Sequence, residues 1–470
     1  MDRYTELYNL MAIIINKILG SGVDPLCFQS YEKHEKAEEY YDEISKKSLE
    51  ALQAIVAEST TWSGSVENMY NLLVILQYLD RIAFKAFGDY CQKRADNGDD
   101  CITFDSLNSD INVEKSGIII FLKVRSIWEG SSGERYHKRS LNAYLENTAY
   151  ITKEELQSAR VPVVFHYIDK RLFDIKETDP EGYKYLRLAA TPVSDDYKFK
   201  LDYHSKDDCK YFFVTELTSD FSGDYKKRIL DIIRDADSSV DDNGRGVDIL
   251  VFPEMLGDEK LFNYISKELS QNPAENVKLI VLPSIWKYDN EAEMGENYCN
   301  LVTCDGTVLF SQNKLARHLL EEKTENRKSI ELIDPLKAIH ILYANNVGAI
   351  CILICVSELI NKLRGFVIAS LEVNLILSPS FANGDYEFRR SAMAGAEMDC
   401  NIVWSNTCSA NDDLDDVCFI TDYTKNRDSG IDSLSWNGKT LKGSRTCDHR
   451  CKKGKACLWY GDIKATHKGR

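Results

Sequence analysis

The sequence predicts an α/β domain over the C-terminal half of the chain, preceded by a helical N-terminal region and a mixed α+β segment. Three observations carry this. From about Cys209 onward, runs of β-branched and aromatic residues alternate with helix-like segments. Residues 1–97 instead repeat apolar positions at helical spacing. A polar break, Arg94-Ala-Asp-Asn-Gly-Asp-Asp100, ends that first region. The expected boundaries are 1–97, 98–207 and 208–470.

Within the first region, Tyr31–Glu58 reads as a helix rich in Glu, Lys and Ala. Residues 68–94 repeat the pattern through Leu72, Leu73, Ile75, Leu76, Leu79 and Ile82. Nearer the start, Leu10–Ile15 is an apolar patch too short to span a bilayer, and no small-residue cleavage site follows it. A helix packed into a core is expected there, in a cytoplasmic protein. The mixed segment holds strands at Gly117–Val124 and Val161–Phe165 and carries no chemistry we can assign.

Bulk properties agree with a soluble, multi-part chain. At 470 residues it is long for one domain, and its 44% hydrophobic content suffices for a real core. Several of the 14 cysteines lie inside apolar runs, as expected of reduced thiols and not of a disulfide framework. The net charge of −16 argues against wholesale binding of nucleic acid or anionic membrane.

In the α/β part, a helix at Tyr225–Ala236 follows the strand Tyr211–Leu217. Strands continue at 247–252, 277–283, 299–310, 347–355, 373–379 and 400–405. Catalytic groups of α/β domains gather at strand ends, so the residues that close apolar runs matter most. Glu254 follows VDILVFP, where burial suits a carboxylate to act as a base. Its bland alternative is a solvated loop glutamate. Lys314 follows LVTCDGTVLFSQN, a position where most lysines are simply solvated. Cys355 closes GAICILIC, and Cys351 in the same run is the control expected to be a structural thiol. A base, a cation and a thiol at three strand ends are the parts needed to attack a carbonyl or nitrile carbon.

Taken together, VDILVFPE254, QNK314LARHLL and GAICILIC355VSEL resemble the carbon–nitrogen hydrolase (nitrilase) superfamily in order and context. Asn297–Asn300 with Asp305-Gly306, Asn374–Ser380 and residues 388–406 resemble further landmarks of that family, so the similarity spans about 209 to 410. The resemblance implies an αββα sandwich, a Glu254–Lys314–Cys355 triad, no metal or organic cofactor, and a homo-oligomer. It also implies that the backbone N–H of Val356 assists at the oxyanion. The family's second glutamate lies about eleven residues past the lysine, and Glu325 is the nearest match. Where the family follows its cysteine with an aromatic, an aspartate and a second Phe-Pro-Glu, this chain has Val356-Ser357-Glu358-Leu359-Ile360. The implied activity is thiol-dependent hydrolysis of a non-peptide carbon–nitrogen bond in a small amide, nitrile or ureide. The competing reading is a catalytically weak scaffold or binding subunit, of the kind attached to bacterial defence assemblies. The helical extension suggests oligomer or protein-partner contacts.

Residues 439–470 carry ten Lys or Arg against two Asp. Cys447, His449, Cys451 and Cys457 lie among them, but their spacing matches no standard zinc knuckle. A metal-free, positively charged rim that attracts an anionic substrate or acidic partner is expected.

Overall fold

The computed structural model describes residues 3–21, 34–59, 68–76, 78–79 and 82. It continues with strand segments at 101–105, 112–113, 118–120, 150–152, 163–168, 184–193, 199–206 and 209–217. Residues 223–407 follow, with breaks at 243, 290–292, 323–326, 336, 345–346, 372 and 398–399; then come 410, 417–422 and 457–466. The chain divides into two compact units. One comprises Met1–Arg125, Glu129–Asp169 and Ser370–Glu372; the other comprises Ser126–Trp128, Lys170–Ala369 and Val373–Arg470.

Helix α1 (Arg3–Gly20) of the first unit buries Leu7, Leu10, Met11, Ile14, Ile15 and Ile18. That spacing places them on one face, and the short apolar patch is therefore a core helix. The expected Tyr31–Glu58 helix is two, α2 (His34–Ile44) and α3 (Leu49–Glu58), because Ser48 caps the second and accepts the Ala51 N–H at 3.3 Å. Leu52, Val56 and helical residues between 68 and 79 complete this core. Strands β1 (Cys101–Asp105) and β5 (Val163–Ile168) pair antiparallel. Strands β2 (Asn112–Val113), β3 (Ile118–Ile120) and β4 (Tyr150–Thr152) form a small sheet of their own.

The second unit opens earlier than the sequence suggested. Its first sandwich strand is β6 (Lys184–Ala190), which sequence reading left in the mixed segment. The next two strands, β7 (Phe199–Lys206) and β8 (Cys209–Leu217), form a hairpin outside the sandwich. The boundary at 207/208 thus falls inside this hairpin, and one near 170 replaces it. Periodicity identified β8 as a strand, but a strand's partner is fixed by register and burial that local sequence does not contain.

Helix α4 (Gly223–Ser238) leads to β9 (Ile249–Val251), helix α5 (Glu259–Gln271) and β10 (Leu279–Val281). Strands β11 (Ile285–Asp289), β12 (Met294–Thr303) and β13 (Val308–Asn313) follow. The chain then makes β14 (Leu319–Glu322), β15 (Arg327–Glu331), β16 (Ile339–Ala344) and β17 (Gly348–Ile352). Two short helices, α6 (Val356–Leu359) and α7 (Asn361–Gly365), precede β18 (Leu375–Pro379). Helix α8 (Tyr386–Glu397), β19 (Asn401–Ser405), β20 (Cys418–Ile420) and β21 (Trp459–Thr466) complete it.

One sheet runs β11-β12-β10-β9-β6-β21, with β13 also on β12; the facing sheet of this unit runs β16-β17-β18-β19-β20. Helices α4 and α5 bury Ile229, Ile233, Leu261 and Ile265 against Leu250, Phe252 and Ile280 of the first sheet. On the other side, Phe388 of α8 stacks on Trp404 of β19 at 5.1 Å. Between the sheets, the Ser405 hydroxyl donates towards the carbonyls of Thr191 and Val251, each at 3.1 Å. Helices outside and two sheets inside make the αββα sandwich. A further four-stranded sheet, β14-β15-β8-β7, carries the hairpin. No helix among the described residues is long and apolar enough to cross a membrane.

Candidate active site

Strands β9, β13, β15 and β17 deliver four side chains to one place. Glu254, three residues beyond β9, is 1% exposed, and its backbone N–H donates to Ser380 O at 3.3 Å. Its carboxylate accepts from Asn297 Nδ2 at 2.7 Å and from the Phe381 N–H at 3.1 Å, and meets Lys314 Nζ at 2.8 Å. Lys314, directly after β13, also contacts Glu331 Oε2 at 2.8 Å. Glu331 ends β15, where the His318 N–H binds the same carboxylate at 3.0 Å.

Cys355 sits at the turn from β17 into α6 with φ 49° and ψ −118°. A non-glycine residue in this region is strained, by about 1–3 kcal/mol, and persists only when its surroundings hold it there. Its N–H donates to Pro379 O at 2.9 Å, fixing the turn. Met255, next to Glu254, is likewise at φ 63°, held by a 2.7 Å bond from its N–H to Ser284 Oγ. Val356 is the first residue of α6, where helix geometry leaves a backbone N–H without an intrahelical partner. Ser357 of the same helix accepts the Leu315 N–H at 2.9 Å, which ties the lysine loop to the cysteine turn.

These contacts set the electrostatics. Burial alone lowers an ammonium's pKa, but Glu254 and Glu331 outweigh it and hold Lys314 well above the usual lysine value. Burial pushes the Glu331 carboxyl up, and Lys314 with the His318 backbone brings it below the ordinary glutamate value. Burial and the nearby Glu254 charge raise the Cys355 thiol, while Lys314 pulls it back. The thiol's hydrogen-bond partner is the Phe381 carbonyl oxygen, at 4.0 Å, and the Phe381 N–H in turn binds the Glu254 carboxylate. The resting group is therefore a thiol that feels the charges of both Glu254 and Lys314. Cys351 is raised by burial alone.

The three sequence-derived residues are brought together, and Val356 adjoins them. Glu325 lies outside the described residues. Glu331 was missed: it stands 17 residues past Lys314 at the end of Arg327–Glu331, a strand too short and charged to stand out. Its signal was the same as for the others, a carboxylate closing a strand. Cys447, His449 and Cys451 lie outside the described residues, Cys457 is buried, and β21 makes part of the basic tail a strand paired with β6. Among the described residues, no group of three or more His, Cys, Asp or Glu side chains is arranged to hold a metal. A small cleft of about 10 Å³, lined in part by Gly257, Asp258, Leu261 and Phe262, contains none of the site residues.

No protein-family model and no curated protein matches the chain. Among solved structures, it is similar to Saccharomyces cerevisiae Nit3, of branch 10 of the nitrilase superfamily. That match has 11% identity and a TM-score of 0.36, covering 61% of this chain and 93% of that one. It is also similar to an amidase from Nesterenkonia sp., at 14% identity and TM-score 0.34, covering 60% and 91%. The third is the C. elegans NitFhit protein, at 13% identity and TM-score 0.38; the alignment covers 60% of this chain and 61% of that one. The second unit carries an αββα sandwich, with a glutamate, a lysine and a cysteine gathered at its strand ends.

Proposed function

We propose that the second unit is a thiol-dependent hydrolase of a non-peptide carbon–nitrogen bond in a small amide, nitrile or ureide. The observation that carries this reading is Cys355 in a strained strand-to-helix turn, within the electrostatic reach of Glu254, which itself pairs with Lys314. Such a strand–turn–helix placement exposes a nucleophile to attack geometry while a base stands within reach.

For an amide, the Cys355 proton passes to Glu254 as the sulfur bonds to the carbonyl carbon. The carbonyl oxygen takes the electron pair and is stabilised by Lys314 Nζ and the Val356 N–H. The carbon–nitrogen bond then breaks, Glu254 returns the proton to the departing nitrogen, and an acyl thioester remains. Water, deprotonated by Glu254, adds to the thioester; collapse releases the acid and restores the thiol. Because the thiol is raised, proton transfer and attack are coupled in this scheme. Glu331 positions Lys314 from the side opposite Glu254.

Native protein treated with 2-chloroacetamide and mapped by mass spectrometry is expected to carry its first adduct on Cys355. Modification elsewhere with Cys355 spared would sink this reading and favour the scaffold alternative. Self-association through the N-terminal helices belongs to the same proposal; removing residues 1–97 is expected to change the oligomer size in light scattering.

A further inference from the structure

Beside the carboxylates lies a recognition point that hydrolysis alone does not require. The register of β11 on β12 sets Trp286 directly opposite Asn297, so both side chains leave one face of the sheet. Asn297 Nδ2 donates to Glu254 and, at 3.5 Å, to Glu331. Carboxylates only accept when ionised, which assigns the amide nitrogen to that side and leaves Oδ1 turned away from it. The indole lies against Gly295: a Cβ there would come within 2.1 Å of the ring and 2.7 Å of the Leu332 carbonyl. Only glycine allows that approach.

Trp286 is 8% exposed and packs with Val214, Met255 and Ile333. The β7–β8 hairpin roofs this cluster, with Phe213 stacked on Tyr288 at 4.4 Å. At the two facing positions of β11 and β12, two buried polar atoms have no partner among the described residues, Trp286 Nε1 and Asn297 Oδ1. Buried donors and acceptors are nearly always paired, so two unpaired atoms at facing strand positions call for a group that completes both.

We propose that Trp286 and Asn297 read a second, carboxamide-like group on the substrate, the indole donating to its oxygen and Asn297 Oδ1 accepting from its N–H. The substrate class is a neutral amide whose connecting portion is apolar, matching the aliphatic and aromatic walls. A carboxylate in the same place would offer acceptors alone and face Asn297 Oδ1 unfavourably. This rests on the hydrolase reading of Glu254, Lys314 and Cys355, and it makes Trp286 a specificity-determining residue.

Binding is measured by calorimetry on full-length Cys355→Ala protein, so that turnover is not needed. The ligands are adipamide, its apolar isostere 6-methylheptanamide, and adipic acid monoamide. Adipamide is expected to bind about 10-fold or more tightly than either, since a site built to pair polar groups rejects analogues lacking them. Trp286→Phe, which keeps a ring and removes the donor, is expected to cut that preference at least about 3-fold. Proton NMR of the Cys355→Ala protein, without the tryptophan change, gives a second readout. One of its six indole N–H signals is expected to shift with adipamide and stay with the isostere. Equal binding of all three ligands, an undiminished preference in folded Trp286→Phe, absence of binding, or unmoved indole signals would each overturn the proposal. Failure of chloroacetamide labelling at Cys355 in the native protein would instead strike the hydrolase reading, while these binding results still report on Trp286 and Asn297.

Discussion

The two ends of strand β9 each bury a carboxyl group, and the two are used differently. At the entrance, Asp248 accepts the Arg187 backbone N–H at 2.8 Å, and burial pushes its carboxyl up to about 6. At the exit, Glu254 meets an ammonium, a side-chain amide, a backbone N–H and a thiol. Depth and partners both separate them: Asp248 keeps partial contact with solvent, whereas Glu254 is fully enclosed and held by several groups at once.

The strongest test of that contrast removes the thiol that Glu254 faces. Cys355→Ala is expected to abolish all hydrolysis while the thermal midpoint stays near that of the parent. Cys351→Ala, in the same strand, is expected to retain most of the rate. Comparable rates in the two variants would end the assignment.

Lys314→Ala comes next. It removes the oxyanion's cation and leaves two buried carboxylates without their shared partner. A fall of about 10²-fold or more in kcat is expected from the first effect, and a loss of roughly 3–5 kcal/mol of stability from the second. Stopped assays and denaturant titration read them separately; an unchanged kcat in folded variant protein would refute the role.

The smallest effect belongs to the entrance. Asp248 binds its proton more tightly folded than unfolded, so its contribution is fully present below pH about 4 and is lost as pH rises to about 6. Asp248→Asn is therefore expected to gain on the parent by up to about 3 kcal/mol between those pH values, seen as a widening gap in thermal midpoint. A gap that narrows would show that the site is ion-paired after all. His340, stacked on Phe310 and lowered by burial to about 4, acts in the opposite direction. Its stabilising share is present above pH about 6.5 and is lost as pH falls towards 4.

Sequence made the three strand-end residues legible because each closes a run of apolar positions with a group that does not belong in a core. Glu331 was hidden by a short, charged strand; the family resemblance pointed to Glu325, which lies outside the described residues. Strand β6 escaped notice because Lys184–Ala190 holds no β-branched residue and closes on Ala189-Ala190. The facing of Trp286 and Asn297 needs strand register, and register depends on pairings between residues that single-sequence patterns do not connect. Strand β8 was plain in the sequence, but neither its hairpin partner β7 nor its position outside the sandwich was.

The pairing of β6 with β21 has a consequence for how this unit is made. Ala190 meets Trp459, so the bond between them closes a loop of about 270 residues, roughly 3 kcal/mol more in chain entropy than closing about ten. During synthesis β6 can settle beside β9 long before β21 leaves the ribosome, and until then it is an open edge with bare N–H and C=O groups. The nascent chain is thus most vulnerable to aggregation late, when nearly all of the sandwich exists and its last strand does not.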